Sequence, residues 1–295
     1  MPNERPKNRQ SRRRLSIGNH IAGASFTVLM STASVARAQG TDLRYDARID
    51  IPVTAVAGVS WIGSEALKSS LAAQSCRWCD RNVDGSSGLS GLDASVRDAL
   101  RWRNTDAGDT ASSVIGFGIA PAAALGMVAL AEGHDRALSR WPIDALLIVE
   151  ATTIAADVNQ FVKFAVGRER PFVHVLPDDQ KRSTAHPADN NTSFYSGHTT
   201  LVFALAVSSG TVASLRGYRW SPAVWGVGLT LATATGYLRI AGDRHYFTDV
   251  MTGAVAGSAI GFAIPFLFHS RGTTAETPSV AVGPAPGGVA LSGVW

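Results

Sequence analysis

Residues Ser193–Thr200 read SFYSGHTT, a serine, a glycine and a histidine side by side where a polar loop gives way to an uncharged stretch. The small and apolar residues that follow predict a buried helix over Thr199–Leu215. A histidine at such a threshold has two readings. It caps or packs the helix end, or it works with partners placed elsewhere in the chain. Fold and function therefore turn on what else the sequence holds at matching spacings.

Composition narrows the choice first. The chain has 295 residues, 45% hydrophobic and 17% charged, which suits one sizeable core and excludes disorder for most of its length. Its formal charge of +4 is unevenly spread. Residues 1–38 hold seven Lys or Arg (Arg5, Lys7, Arg9, Arg12, Arg13, Arg14, Arg37) against Glu4, a net of +6, so the remainder carries −2. That distribution does not describe a nucleic-acid partner. The leader at residues 1–38 reads instead as an export signal. A basic segment ends at Arg14, an uncharged apolar run extends from Leu15 to Val35, and Ala36-Arg37-Ala38 before Gln39 forms an A-x-A cleavage pattern. The segment SRRRLSI, Ser11–Ile17, carries the twin arginines of a Tat signal, although arginine clusters also occur in Sec signals. An uncleaved membrane anchor is a third reading, and the A-x-A pattern weighs against it.

Cys76 and Cys79 in SCRWCD are the only cysteines. In an oxidising compartment such a pair forms a disulfide. No βαβ context suggests a redox motif, and no further Cys or His lies nearby to complete a zinc site. The pair reads as a small staple in a surface loop of an N-terminal region spanning 39–110.

Helical patterns dominate the rest: Ile51–Ala73, Asp93–Trp102, Ser113–Ala131, Pro142–Val166, Thr199–Leu215, Pro222–Leu238 and Val250–Phe268. These predict an all-α bundle with a core at 111–270. The tail at 271–295 contains PSVAVGPAPGGVALSGVW, which forms a β-hairpin or stays loose. Ser113–Ala131 and Val250–Phe268 have the length and apolarity of membrane spans, whereas the others also suit a soluble bundle. The short loops bearing Arg136/Arg140 and Arg216/Arg219 are basic, as cytoplasmic loops are, and they would leave the long loop Arg168–His198 on the periplasmic side. This parity requires that Ile51–Ala73 does not span. Asp144, Glu150 and Asp157 fall on broadly one face of their helix, which a bundle interior can accommodate.

Two further stretches answer the opening histidine. In KFAVGRERP, Lys163 and Arg170 are seven residues apart, two helical turns, near a helix end that Pro171 enforces. Two fixed cations on one face suit a phosphate. In RIAGDRHYFTD, Arg239 precedes His245, and Asp249 lies four residues beyond the histidine, so a carboxylate can hold one imidazole nitrogen and leave the other as nucleophile or ligand. Taken together, Lys-x6-Arg-Pro, Ser-Gly-His and Arg-x5-His-x3-Asp resemble the three-part signature of the superfamily that unites type 2 phosphatidic acid phosphatases, bacterial non-specific acid phosphatases and vanadium-dependent haloperoxidases. The resemblance covers roughly Ala111 to Phe268.

The resemblance implies a metal-independent phosphatase with no cofactor. Lys163, Arg170, Arg239, Ser196 and the N–H of Gly197 would bind the phosphoryl oxygens. His245 would be the nucleophile that forms a phosphohistidine, oriented by Asp249, and His198 the acid and then the base. Two positions depart from the family pattern: Tyr195 stands where a proline is usual, and Leu238 where a serine is usual. The implied substrate is a lipid phosphate such as phosphatidic acid or an isoprenyl phosphate, acted on by a protein of the inner membrane with a periplasm-facing site. The alternatives are a soluble periplasmic acid phosphatase for small phosphomonoesters, and a haloperoxidase in which vanadate takes the phosphate's place and His245 is its ligand.

Overall fold

The computed structural model describes residues 42–270 together with the backbone of two strands at 279–285 and 288–294; the expected export leader at residues 1–38 and its cleavage pattern lie outside the described residues. Capping chemistry fixes where the helices start. Asp46 accepts the Arg48 N–H at 2.9 Å while Asp50 accepts the Asp46 N–H at 2.7 Å, so free donors at the start of α1 (Ala47–Ala66) are satisfied. Ser90 caps α2 (Gly91–Leu100) through the Asp93 N–H at 3.1 Å, and Asn104 caps α3 (Thr105–His134) through the Ala107 N–H at 3.1 Å. Helix α3 runs unbroken over Thr105–His134, with one wider turn at Ile115–Ile119.

The sequence pattern begins that helix only at Ser113. Its first two turns, TDAGDTAS, are polar and mask the apolar period, yet they carry side chains turned toward the other helices. The helix also runs straight across residue 110, where the sequence reading divides the chain. Helix α4 (Trp141–Val166) ends at Gly167, whose φ of 62° is left-handed. A side chain there would crowd Ala73 and Arg77 as well as strain the backbone. Helices α5 (Gly197–Leu215), α6 (Ser221–Ala241) and α7 (Phe247–His269) complete the bundle.

Helix α5 is the buried axis. Helix α7 lies against it through Gly253, Gly257 and Gly261, one per turn. A Cβ at Gly253 would sit 2.8 Å from the Ser196 carbonyl oxygen, and one at Gly261 would sit 2.7 Å from that of Ala204. Small residues thus bring the two backbones together, and this fixes the start of α7 beside the start of α5.

Direction alternates through α1, α3, α4, α5, α6 and α7. The end of α1, the start of α3, the end of α4, the start of α5, the end of α6 and the start of α7 gather at one end of the bundle. The loops with Arg136/Arg140 and Arg216/Arg219 lie at the other. Helix α1 packs lengthwise on α4, and it is not among the described helices that are long and apolar enough to cross a membrane.

Among the described residues, four helices are long and apolar enough to cross a membrane: Thr105–His134, Leu138–Val166, Gly197–Leu215 and Phe247–His269. The acids of α4 are accommodated inside. Asp144 is fully buried and accepts from Arg216 at 2.8 Å and from the Tyr218 hydroxyl at 2.9 Å. Glu150 is buried beside His269, and Asp157 is half-buried. The bundle exterior, by contrast, is apolar, with Val59, Phe161, Val255 and Leu267 among its exposed residues. In the tail, β1 (Ser279–Ala285) pairs antiparallel with β2 (Gly288–Val294), from Ser279 opposite Val294 to Ala285 opposite Gly288, so of the two sequence readings the hairpin is the one formed.

Candidate active site

Where helix ends converge, a cavity of about 420 Å³ is lined by Lys163, Arg170, Gly197, His198, Arg239 and His245. Six of the eight residues expected at the site therefore meet in one place, although they come from the end of α4, the loop after it, the start of α5, the end of α6 and the loop before α7. Ser196 and Asp249 stand behind this lining. The Ser196 hydroxyl is buried and paired with that of Thr199 at 2.8 Å. The place of Gly197 also has a local cause: a Cβ there would lie 2.7 Å from Lys163 Nζ and 2.9 Å from Asn159 Oδ1.

The three cations are deeply buried, with Lys163 only 9% exposed, Arg170 6% and Arg239 2%. Their neutralisation is incomplete. Arg239 donates to Asp109 at 2.5 Å and to the Ser112 hydroxyl at 3.0 Å, and Arg170 donates to the Thr192 hydroxyl at 3.2 Å with Asp189 at 3.9 Å. Both guanidinium Nε–H groups are buried without a partner. Burial is the main influence that lowers the pKa of Arg170, against the pull of Asp189.

The orientation of His245 differs from the sequence expectation. Its Nδ1 bonds to the backbone carbonyl of Ser193 at 2.8 Å, whereas Asp249 Oδ2 is 3.8 Å away. A carbonyl only accepts, so Nδ1 carries the proton and Nε2 keeps its lone pair. Asp249 spends its oxygens elsewhere. Oδ1 accepts from Arg168 at 2.7 Å, and Oδ2 accepts from the Ser193 hydroxyl at 2.6 Å and the Tyr246 N–H at 3.0 Å. It positions His245 through Ser193 rather than by direct contact.

Arg168, inside the GRERP stretch but not selected by the spacing, is the centre of that support. It donates to Asp80 at 2.8 Å, Asp93 at 3.0 Å and Asp249 at 2.7 Å, with its guanidinium sandwiched between Trp78 and Tyr246 at 4.2 Å and 4.3 Å. The Cys76–Cys79 disulfide closes the loop that carries Trp78 and Asp80. This loop docks on the site. Arg77 donates to the carbonyls of Phe164 and Ala165 at 3.1 Å and 2.9 Å, and its own N–H bonds Gly167 O at 3.0 Å. The staple of the sequence reading thus braces the first motif.

His198 is partly exposed at the cavity edge. Its Nε2 lies 3.2 Å from the Ser113 hydroxyl, and Phe117 meets its ring edge-on at 4.7 Å. The cavity wall on that side is apolar, formed by Trp61, Ile62, Phe117 and Leu201. Ile62 and Phe117 are also exposed on the outer surface of the bundle.

Residues 144–272 match the family model of the PAP2 superfamily, and all three motifs fall within the match. No curated protein and no solved structure matches the chain. The matched segment holds nearly all of α4 and the whole of α5, α6 and α7, and the match supports phosphatase-type activity in general.

Proposed function

We propose that this PAP2-superfamily chain is a membrane-embedded phosphatase that hydrolyses lipid phosphate monoesters through a phosphohistidine, without a metal. The observation that carries the reading is the pair of unpartnered Nε–H groups on Arg170 and Arg239, buried in the same cavity as Lys163. Buried donors and unneutralised charge are costly, and a tetrahedral oxyanion satisfies both. Charge-assisted bonds to equatorial oxygens stabilise the charge that spreads over them in the transition state. The Gly197 N–H, at the start of α5, adds a further donor.

His245 Nε2 attacks phosphorus in line, and the P–O bond to the alcohol breaks. His198 protonates the departing alkoxide, then takes a proton from the water that cleaves the P–N bond and frees His245. Ser196 acts through the loop, since its hydroxyl is held by Thr199.

A lipid substrate fits the apolar wall. Ile62 and Phe117 belong both to the cavity and to the outer surface, so an acyl chain in the bilayer has a lateral approach to the phosphate subsite. The disulfide suits an oxidising compartment, which puts the site end outside and the Arg136/Arg140 and Arg216/Arg219 loops inside.

Helix α1 starts at that inner end. Gln39 is seven residues from Asp46, at most about 25 Å of extended chain, short of a hydrocarbon core of about 30 Å. Cleavage after Ala38 on the outer face and an embedded bundle with an outward site therefore exclude each other. Carbonate-washed membranes should retain the protein until detergent is added, and N-terminal sequencing should find a start upstream of Gln39. Release without detergent of a chain starting at Gln39 would overturn the embedded reading and favour small soluble phosphomonoesters. Phosphate release from phosphatidic acid by the purified protein is the functional arm. Bromide oxidation with vanadate and no phosphate release would favour the haloperoxidase alternative.

The pH dependence follows from the cavity. Burial, then the charges of Arg170, Arg239 and Lys163, hold His245 well below the ordinary imidazole range. The free enzyme keeps Nε2 unprotonated into acid, so the acid limb of kcat/KM should lie below about pH 6.5 once substrate ionisation is allowed for. A bound phosphate offsets those cations, which raises the histidine's affinity for a proton. The acid limb of kcat should therefore lie at higher pH than that of kcat/KM. Coincident limbs at or above about 6.5 would contradict this assignment.

A further inference from the structure

We propose that Asp50, Glu150 and His269 bind a divalent transition-metal ion of the zinc type, forming a clamp between α1, α4 and α7 at the end of the bundle away from the phosphate cavity. One ligand atom from each lies within 4.8 Å of the others. All three residues are buried, at 7%, 6% and 4% exposure.

The hydrogen bonds around them leave ligand lone pairs free. His269 Nδ1 bonds to the Arg44 carbonyl at 3.0 Å, so the proton is there and Nε2 presents its lone pair. This backbone partner is the arrangement that orients a metal-binding histidine. Arg44 is itself held, its N–H donating to His269 O at 2.8 Å and its Nε to Ser270 O at 3.2 Å. Asp50 Oδ2 accepts the Asp46 N–H, which leaves Oδ1.

Glu150 Oε2 and His269 Nε2 face each other at 3.5 Å, and neither has a hydrogen-bond partner. Two acceptors so placed repel unless a metal ion, or a proton on Nε2, lies between them. Tetrahedral bonds of about 2.0–2.1 Å to zinc separate neighbouring ligand atoms by about 3.3 Å, close to the 3.5 Å between Glu150 Oε2 and His269 Nε2, with the Asp50 carboxylate within 4.8 Å of both. One imidazole and two carboxylates suit zinc better than calcium or magnesium, which take all-oxygen sets. A cavity of about 610 Å³ borders all three residues and leaves room for water as the fourth ligand.

The test uses the full chain, purified in detergent and stripped by a chelator, then titrated with zinc chloride. One zinc per chain should bind and raise the unfolding midpoint by several degrees. His269→Ala and Glu150→Gln should each weaken binding about 100-fold and remove the thermal shift. Asp50→Asn, which keeps an acceptor for the Asp46 N–H, should weaken it about 10-fold if the larger changes prevent folding. Phosphatase activity below the melting range should be the same with and without zinc. Substoichiometric binding by the wild type, an unmoved unfolding midpoint, or full binding by His269→Ala and Glu150→Gln would each overturn the proposal. Protonation of His269 as a simple ion-pair partner of Glu150 would give the first two of these outcomes.

Discussion

His245→Ala should lower phosphatase activity by roughly 10⁴-fold or more and leave no phosphoenzyme to trap. Its Nε2 is the lone pair that the Ser193 carbonyl leaves free, and it faces the cavity that holds the three cations. The other histidines that line the cavity are His186, from the long loop outside the three motifs, and His198, whose Nε2 is engaged with Ser113. His198→Ala should therefore behave differently. It should slow substrates with poor leaving groups by about 10²–10⁴-fold and slow a nitrophenyl ester much less, because that alcohol departs without help. Rapid-quench trapping of labelled enzyme, run on both variants, separates nucleophile from acid. Normal turnover by His245→Ala would sink the mechanism. A chelator should leave the wild-type rate unchanged, since the cations supply the charge that a catalytic metal would otherwise provide.

The lining of the cavity was legible because its chemistry needs fixed residue types at fixed spacings. Lys163 and Arg170, Gly197 and His198, Arg239 and His245 could be paired by eye, and the structure brings them to one cavity. What supports the lining was not legible. Ser193 orients His245 with a main-chain carbonyl, which any residue type would supply, so no side-chain signature marks it. Asp80 and Asp93 reach Arg168 across 88 and 75 residues of chain, a distance at which local patterns carry no information. The Asp249 expectation came from the helical spacing and the family resemblance. That spacing brings the carboxylate near the ring, but α7 starts so that Asp249 caps its own first turn. Tyr195 and Leu238, the two departures from the family pattern, are both buried, and the Tyr195 carbonyl accepts from Asn159 at 2.8 Å. The packing of helix α1 on α4 was not legible either, because most of its surface is exposed and only Asp50 and Ala57 are buried, so no amphipathic period marks it.

Arg168→Met should cost about 3–5 kcal/mol of stability, the range for removing one member of a buried charge cluster. Burial by itself would lower the pKa of this guanidinium, yet Asp249, Asp80 and Asp93 more than compensate and hold it above its ordinary value, so the group that is lost is a fixed charge. Its removal strands Asp93 and Asp249, which are 1% and 0% exposed. Water cannot reach them, and no other described cation bonds to either. Both oxygens of Asp93 keep a donor, the Thr248 N–H and hydroxyl at 2.9 Å and 2.8 Å, whereas Asp249 keeps its donors on Oδ2 alone and loses the Arg168 bond to Oδ1, so the damage should concentrate on Asp249, and through Ser193 on His245. Arg168→Lys retains the charge but not the three-way fork or the stacking between Trp78 and Tyr246. It should recover part of the stability and little of the activity, because one ammonium cannot reach Asp80, Asp93 and Asp249 together. Thermal unfolding in detergent reads the first effect, and kcat with an unchanged KM reads the second. If Arg168→Met unfolds at the wild-type midpoint, the three carboxylates do not depend on it. If Arg168→Lys restores full kcat, the fork does not set the position of the nucleophile.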